Sequence, residues 1–379
     1  MDQWKKLSGA ENWNGLLEPR DKDLENLLSL CIESIEVIPD SVSHHDKRKP
    51  AHQEKDLFSE MGKKELEKLY TVTHYIYARS DVPSLVNRIV KDKSAWIGYV
   101  AVATDHGKEV LGRRDILICW RGTNSKTEWL KDFECSLISA SEIFGKTHNP
   151  HVHKGFLSLY KSPNIEPPSY NKWSARQQVL HAVKTLVNKV NYRDEEISIT
   201  VTGHSLGAAL ATLSATDIVA NKHNRRAGSD KVCMVTAFVF ATPKVGDKGF
   251  RDVFDQLSEL HLLRIKNKLD VVPKLPPFPA YEHVGIKLKI KSYKELLSKL
   301  KEGLHFHGLK QHLVGLGRTT RSMFHSYKMS GFEEENQTQR AFGWAASDSL
   351  GILHPVYFTR RCMDAPTFFF VISYHSFSL

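Results

Sequence analysis

Residues 197–214 read I-S-I-T-V-T-G-H-S-L-G-A-A-L-A-T-L-S, a β-branched run that gives way, across the five residues Gly203–Gly207, to a run of Ala and Leu. The first part favours a strand because Ile, Val and Thr fit a pleated surface. The second favours a helix because Ala and Leu lose little freedom on winding. At ordinary Gly and Ser usage, G-x-S-x-G arises by chance in about one chain in ten of this size, so the bare pattern says little. Its setting says more. A sharp strand-to-helix turn needs glycines on both sides so that the backbones can pass, and it holds its serine in a strained conformation. Ser205 is therefore the candidate nucleophile. The N–H of Leu206, at the positive end of the following helix, points to where an oxyanion would form. His204, in the variable position, reads as a packing or orienting residue.

Outward from this turn, strands and helices alternate. Ser174 to Asn191 is an amphipathic helix with Ser174 as its cap, and Asp247 to Leu257 is a second helix. Lys231 to Ala241, Leu260 to Lys266 and His283 to Ile290 read as strands. Upstream, Trp96 to Thr104 and Asp115 to Trp120 are strands separated by a turn at D-H-G-K. Leu66, Leu69, Tyr70, Val72 and Ile76 have helical spacing over Lys64 to Tyr77, and Asp23 to Cys31 opens an amphipathic helix. Trp4, Leu7, Trp13, Leu16 and Leu17 mark the first thirty residues as a packed arm, whereas Ser41 to Asp56 is polar and aperiodic, a surface loop. Asn124 to Lys154 reads as loops. The alternation predicts an α/β fold with a mainly parallel central sheet and helices on both faces.

A serine nucleophile needs a base and an acid, which in such sheets follow it at later strand ends. Asp270 comes directly after the strand L-L-R-I-K-N and is the acid candidate. Asp217 lies too far along the helix after Ser205, and Asp247 in A-T-P-K-V-G-D reads as a helix cap. The second oxyanion donor is expected from the loop after Asp115 to Trp120, where R-G-T places Thr123 with an N–H and a hydroxyl.

Composition bounds the rest. With 379 residues, 41% hydrophobic and 25% charged, the chain has material for a large core and is neither fibrous nor wholly disordered. The longest apolar stretches fall far short of the roughly 18 to 20 residues of a membrane helix. The N-terminus lacks the apolar run of a secretory signal and the Arg/Ser bias of a transit peptide, so the expected location is the cytoplasm. Five scattered cysteines without a C-x-x-C pair point to reduced thiols and not to a disulfide framework or zinc site. The net charge of +10 invites an anionic partner, either a phospholipid surface or nucleic acid. No zinc-finger spacing or RNP signature accompanies it, so nucleic acid has the charge alone in its favour.

Taken together, W-N-G-L-L-E-P, W-I-G-Y-V-A-V-A-T-D, C-W-R-G-T with W-L-K-D-F behind it, V-H-K-G-F-L, V-T-G-H-S-L-G-A-A-L-A-T-L-S-A, F-A-T-P-K-V-G-D, and L-D-V-V-P-K-L-P with Y-E-H-V-G resemble the class 3 lipases, and specifically the plant phospholipase A1 group II acylhydrolases. The resemblance runs from about Trp4 to about Leu313. It implies an α/β-hydrolase lipase fold and cleavage of the sn-1 acyl ester of glycerophospholipids through an acyl-serine intermediate, with no cofactor and no metal. It also implies Ser205 as nucleophile, Asp270 as the acid, Thr123 and Leu206 as the oxyanion hole, and Cys135 to Val152 as a lid over an acyl groove. The base in this family sits in H-N-L-E-x-Y-L-H. The corresponding run here is H-G-L-K-Q-H-L-V, which assigns His307, with His305 and His312 as competitors and His283 too close behind the acid. Gly308, Lys310 and His312 depart from the family's Asn, Glu and Tyr.

Ile32 to Lys55 also departs from the family, and Arg318 to Leu379 has no match. The expected organisation is accordingly a lipase domain over 1–316 with an N-terminal helical arm, and a divergent segment over 317–379. The expected partner is a phospholipid membrane surface, touched peripherally, with no nucleic acid and the oligomeric state open. Lys287 to His307, a basic alternating strand followed by a helix-like stretch, is a candidate for that contact. A neutral acylglycerol or galactolipid is the rival substrate, and a catalytically impaired lipase-fold protein that binds lipid or a partner is the rival class.

Overall fold

A computed structural model of the chain describes residues 2–40, 49–79, 94–122, 135–164, 170–267 and 270–290. Its centre is a seven-stranded sheet in the order β1-β2-β3-β6-β7-β8-β9. The strands are β1 (Tyr70–Ala78), β2 (Ala95–Ala103), β3 (Arg114–Trp120), β6 (Ile197–His204), β7 (Met234–Phe240), β8 (Leu260–Asn267) and β9 (Ile286–Ile290). β3 and the four strands after it in this order run parallel, while β1 and β2 pair antiparallel at one edge. β4 (Leu137–Ser139) and β5 (His151–His153) form a separate hairpin.

The helices are α1 (Gln3–Leu7), α2 (Lys22–Asp40), α3 (Leu57–Glu60), α4 (Lys64–Leu69), α5 (Asp105–Leu111), α6 (Ser141–Phe144), α7 (Lys154–Lys161), α8 (Ala175–Val187), α9 (Leu206–Ala220) and α10 (Lys248–Asp255). Side chains alternate across the sheet. Ile116, Ile118 and Trp120 of β3 join Ile199 and Val201 of β6 and the apolar faces of α7, α8 and α9 in one core. Leu117 and Cys119 face the other way, into a layer with α2, α3 and α4. Phe238, Leu263 and Leu288 meet α1 and α2 in a third cluster on that side. Helices on both faces of a mainly parallel sheet are the expected α/β arrangement. α9 lies under this cover with every residue from Leu206 to Val219 buried, as its apolar composition requires. Among the described residues no helix is long and apolar enough to cross a membrane.

The N-terminal arm is packed, as its aromatics predict. Trp13 is buried, donates its indole N–H to the Leu7 carbonyl at 2.8 Å, and meets Phe238 edge-on. Ser174 caps α8 and forms a capping box with Gln177. Three expectations are corrected, the first being Asn124 to Lys154, read as loops, which holds β4, α6 and β5 because short elements there lack a run long enough to show a period. The helix read over Lys64 to Tyr77 stops at Leu69, and Tyr70–Ala78 is a strand. Val72 and Ile76 are four apart, a spacing that satisfies both periods, and the β-branched and aromatic content of Y-T-V-T-H-Y-I-Y decides the matter. The D-H-G-K turn is α5, capped by the Thr104 hydroxyl and ended by Gly112 in the left-handed region. Gly107 belongs inside that helix because a Cβ there would lie 2.0 Å from the Leu69 carbonyl oxygen. The boundary expected at 316/317 lies outside the described residues.

Candidate functional site

Ser205 sits where β6 ends and α9 begins, with φ 56° and ψ −118°. A non-glycine residue rarely adopts that conformation, and tertiary structure must hold it. Three close approaches do so. A Cβ on Gly203 would lie 2.4 Å from the Gly207 backbone, and one on Gly207 would lie 2.4 Å from the Trp120 carbonyl oxygen. One on Gly122 would lie 2.8 Å from the His204 carbonyl oxygen. Strand, helix and the loop after β3 are thus pressed together at three glycines, and the Ser205 N–H is tied to the Phe240 carbonyl of β7 at 2.9 Å. Ser205 is 1% exposed, and its Oγ has no hydrogen-bond partner among the described residues. The first N–H groups of α9, that of Leu206 foremost, have no acceptor within the helix. Loop and helix end therefore converge on one buried hydroxyl.

Asp270 follows β8 at the same edge of the sheet and is half-buried. Its Oδ1 accepts from the Val272 N–H at 3.0 Å, and its own N–H donates to the Asn267 carbonyl at 3.3 Å. The carboxylate is thus oriented by the turn that follows it. Thr123 and His307 lie outside the described residues, as do His305 and His312. Gly122, the chain neighbour of Thr123, is one of the three residues pressed against the turn at Ser205.

The carboxylates set aside on sequence grounds have structural duties. Asp247 caps α10 by accepting from the Phe250 N–H at 2.9 Å, and it also accepts from the His151 N–H. Asp217 is fully buried on α9. It takes the Tyr160 hydroxyl at 2.9 Å, the Arg176 guanidinium at 2.6 and 3.0 Å, and the Asn221 amide. His283 is held neutral. Burial foremost, then the charges of Arg264, Lys244 and Lys266, push its ring down to about 3, which is no setting for a base at neutral pH.

Three residues inside the quoted motifs, Trp120, His153 and Tyr281, have contacts that the sequence did not show. Trp120, at the end of β3, donates its indole N–H to the Ser214 hydroxyl at 2.9 Å and so clamps α9 from the loop side. His153 is buried, caps α7 through Nδ1, and stacks on Phe156 at 4.1 Å. The Tyr281 hydroxyl donates to the Cys135 carbonyl at 2.9 Å. Partners separated by 94 and 146 residues leave no local pattern. The stretch Cys135 to Val152, expected as a lid, contains β4, α6 and the start of β5, with Ile143 and Val152 in the main core and Asn221 bonded to the Ile143 carbonyl.

The chain matches the family Lipase (class 3) over residues 117–280. It is similar to phospholipase A1-IIgamma of Arabidopsis thaliana, 42% identical over 84% of this chain and 79% of that protein. It is also similar to phospholipase A1-II 1 of Oryza sativa subsp. indica, 41% identical over 84% of this chain and 82% of the relative. Among solved structures, the nonglycosylated LIP2 lipase of Yarrowia lipolytica aligns with a TM-score of 0.48 and 20% identity, over 72% of this chain and 81% of that one. The lipase from Rhizopus microsporus var. chinensis aligns with a TM-score of 0.46 and 22% identity, over 71% of this chain and 74% of that one.

Proposed function

The chain belongs to the class 3 lipases, in the group of the plant phospholipase A1-II proteins, and is a serine ester hydrolase acting on lipids; from that premise we propose that it cleaves the sn-1 acyl ester of glycerophospholipids with Ser205 as nucleophile. The supporting observation is the buried Oγ of Ser205, unpartnered among the described residues, on a strained turn between β6 and α9. Oγ bonds to the ester carbonyl carbon while its proton passes to His307. The oxyanion is met by the N–H groups of Leu206 and Thr123. As the tetrahedral species collapses, the ester C–O bond breaks and His307 returns the proton to the departing lysophospholipid hydroxyl. Water then attacks the acyl-serine by the same route and frees the fatty acid. Asp270, held by the Val272 N–H, orients and stabilises the imidazolium.

Peripheral contact with an anionic lipid surface belongs to this reading and is supported by the net charge of +10. A cytoplasmic setting is supported by Cys31, Cys119 and Cys233, buried thiols that form no disulfide among the described residues. The test is to treat the purified chain with a fluorophosphonate, map the label by mass spectrometry, and follow fatty-acid release from a phosphatidylcholine labelled differently at sn-1 and sn-2. Label at Ser205 with release of the sn-1 acid is expected. Label elsewhere would remove Ser205 from its role, and release of the sn-2 acid would remove the positional assignment.

A further inference from the structure

β8 and β9 pair in parallel with Arg264 opposite Lys287 and Lys266 opposite Lys289. Their neighbours Leu263, Ile265, Leu288 and Ile290 fill the core on the α1/α2 side, so alternation puts the four cations together on the other face. Directly opposed like charges destabilise a sheet. Two further cations complete the group. The loop carrying Lys244 is stitched to the turn carrying Lys274, for the Lys244 N–H donates to the Leu275 carbonyl at 2.7 Å. The same loop holds the approach to β9, where the Glu282 N–H donates to the Gly246 carbonyl at 2.8 Å.

None of these six cations makes an ion pair among the described residues. Glu282, the acidic residue nearest in the chain to β9, is engaged by Arg251. Arg264 is more buried than exposed, donates Nε–H to the Val284 carbonyl at 2.8 Å, and has its pKa brought down to about 10 by that burial. Burial also lowers Lys266, and the charges of Lys274, Lys287 and Arg264 lower it further against the opposing pull of Asp270. Lys244, Arg264 and Lys266 are partly buried and Lys274, Lys287 and Lys289 exposed, and with Asp270 as the one carboxylate felt by Lys266 the cluster keeps a surplus of positive charge that an anion would relieve.

Building on the proposed phospholipase activity, we infer that this face is the seat of the substrate's phosphodiester: Lys244, Arg264 and Lys266 receive the headgroup phosphate of a glycerophospholipid whose sn-1 ester lies at Ser205. The place fits. Lys266 is close enough to Asp270 to feel its charge, and Lys244 lies in the loop after β7, the strand whose Phe240 carbonyl anchors the Ser205 N–H. β8 is two strands from β6, about 10 Å along the sheet edge. A phosphate is separated from the sn-1 carbonyl by the glycerol carbons and two ester oxygens, a span of the same order. A neutral acylglycerol has nothing to place there, so the seat would set the preference for phospholipid over acylglycerol.

The experiment compares the wild-type chain with Lys244→Gln/Lys266→Gln/Lys287→Gln on two substrates of equal acyl chains, vesicles of phosphatidylcholine, which carries the phosphodiester without a net surface charge, and a diacylglycerol emulsion. Lys231→Gln, just before β7 at the opposite end of the sheet, is the control. Fluorophosphonate labelling of Ser205 and the melting temperature monitor integrity. Since losing one hydrogen bond to a charged group costs about tenfold or more, the ratio of phospholipid to diacylglycerol kcat/KM should fall at least about tenfold in the triple variant, through KM and not kcat. An unchanged ratio, with the wild type active on both substrates, would overturn the phosphate seat and leave the phospholipase reading standing. Wild-type activity on diacylglycerol alone would remove both. Equal losses on the two substrates with a lowered melting temperature would overturn the seat as well, and would mean that the cations hold a segment of the chain itself. Inorganic phosphate altering diacylglycerol turnover in the wild type, but not in the triple variant, would assign the seat to free phosphate instead.

Discussion

Ser205 is the residue at which sequence pattern and backbone geometry agree most closely. The glycines at 203 and 207 pointed to a tight turn, and the structure puts their missing side chains where neighbouring backbone passes. Strain at such a position amounts to about 1–3 kcal/mol. Ala at 205 keeps the strain and loses only a hydroxyl that has no partner among the described residues, so Ser205→Ala should leave the melting temperature within a few degrees while ester hydrolysis falls by at least about 10³-fold. Ser205→Gly should be equally inactive but more stable than the alanine variant by about 1 kcal/mol, because relief of strain outweighs the greater freedom of glycine in the unfolded chain. Parallel urea melts and fatty-acid assays of the two variants decide this, and an alanine variant more stable than the glycine one would show that φ 56° carries no strain. The position of Asp270 after a strand was legible. Its fastening to the Val272 N–H was not, because a turn bond depends on backbone angles that the residue type alone leaves open.

The helix that carries Leu206 is held from three sides, and here sequence reasoning stopped short. Asp217 could be excluded as the catalytic acid by counting residues along α9. That it would gather Tyr160 of α7, Arg176 of α8 and Asn221 was out of reach, because those partners lie at separations set by packing and not by a repeat. The same holds for the bond from Trp120 to Ser214 across β3 and α9. These contacts join the three helices of one face and hold the middle and C-terminal half of α9 against the sheet. Removing the carboxylate leaves a guanidinium and a phenol facing a buried gap, so Asp217→Ala should lower stability by about 3 kcal/mol. Arg176→Ala leaves the buried carboxylate behind and should cost a similar amount. The double variant should be less destabilised than the sum of the two single changes, since neither group then remains without its partner. Additive losses in urea titrations would place the stabilising contacts elsewhere. Where a segment obeyed two periods at once, as Tyr70–Ala78 did, the helix reading failed because spacing cannot separate periods that coincide over four residues.

The parallel run from β3 to β9 was legible because buried strands alternate with helices along the chain, and the right-handed crossovers leave few arrangements. The antiparallel β1–β2 edge was not, since the direction in which two strands pair leaves no mark on the residues of the strands themselves. At the end of the sheet opposite Ser205, the fold is tied by charge. Arg114 of β3 donates Nε–H to Glu195 at 2.6 Å, before β6, and reaches Asp105 of α5 with another nitrogen, while Lys108 also bonds Glu195. Hydrogen bonding by Arg114, ahead of every other cause, holds the Glu195 carboxyl down from its ordinary 4.5 to about 2. Because the folded value lies below the unfolded one, the unfolded chain binds more protons between those limits, and stability rises with pH there. The contribution is complete above about pH 4.5 and is lost as pH falls toward 2. Glu33 runs the other way, its carboxyl raised by burial, so the wild-type curve alone mixes opposing slopes. The difference between wild type and Glu195→Gln separates them, because Glu33 is common to both. That difference in unfolding free energy, measured in urea, should be largest at about pH 5 to 6 and shrink steadily as pH falls from about 4.5 to about 3. A difference that stays constant over this range would mean that Glu195 titrates in the folded protein as it does in the unfolded chain, and that the tie at this end of the sheet owes nothing to its charge.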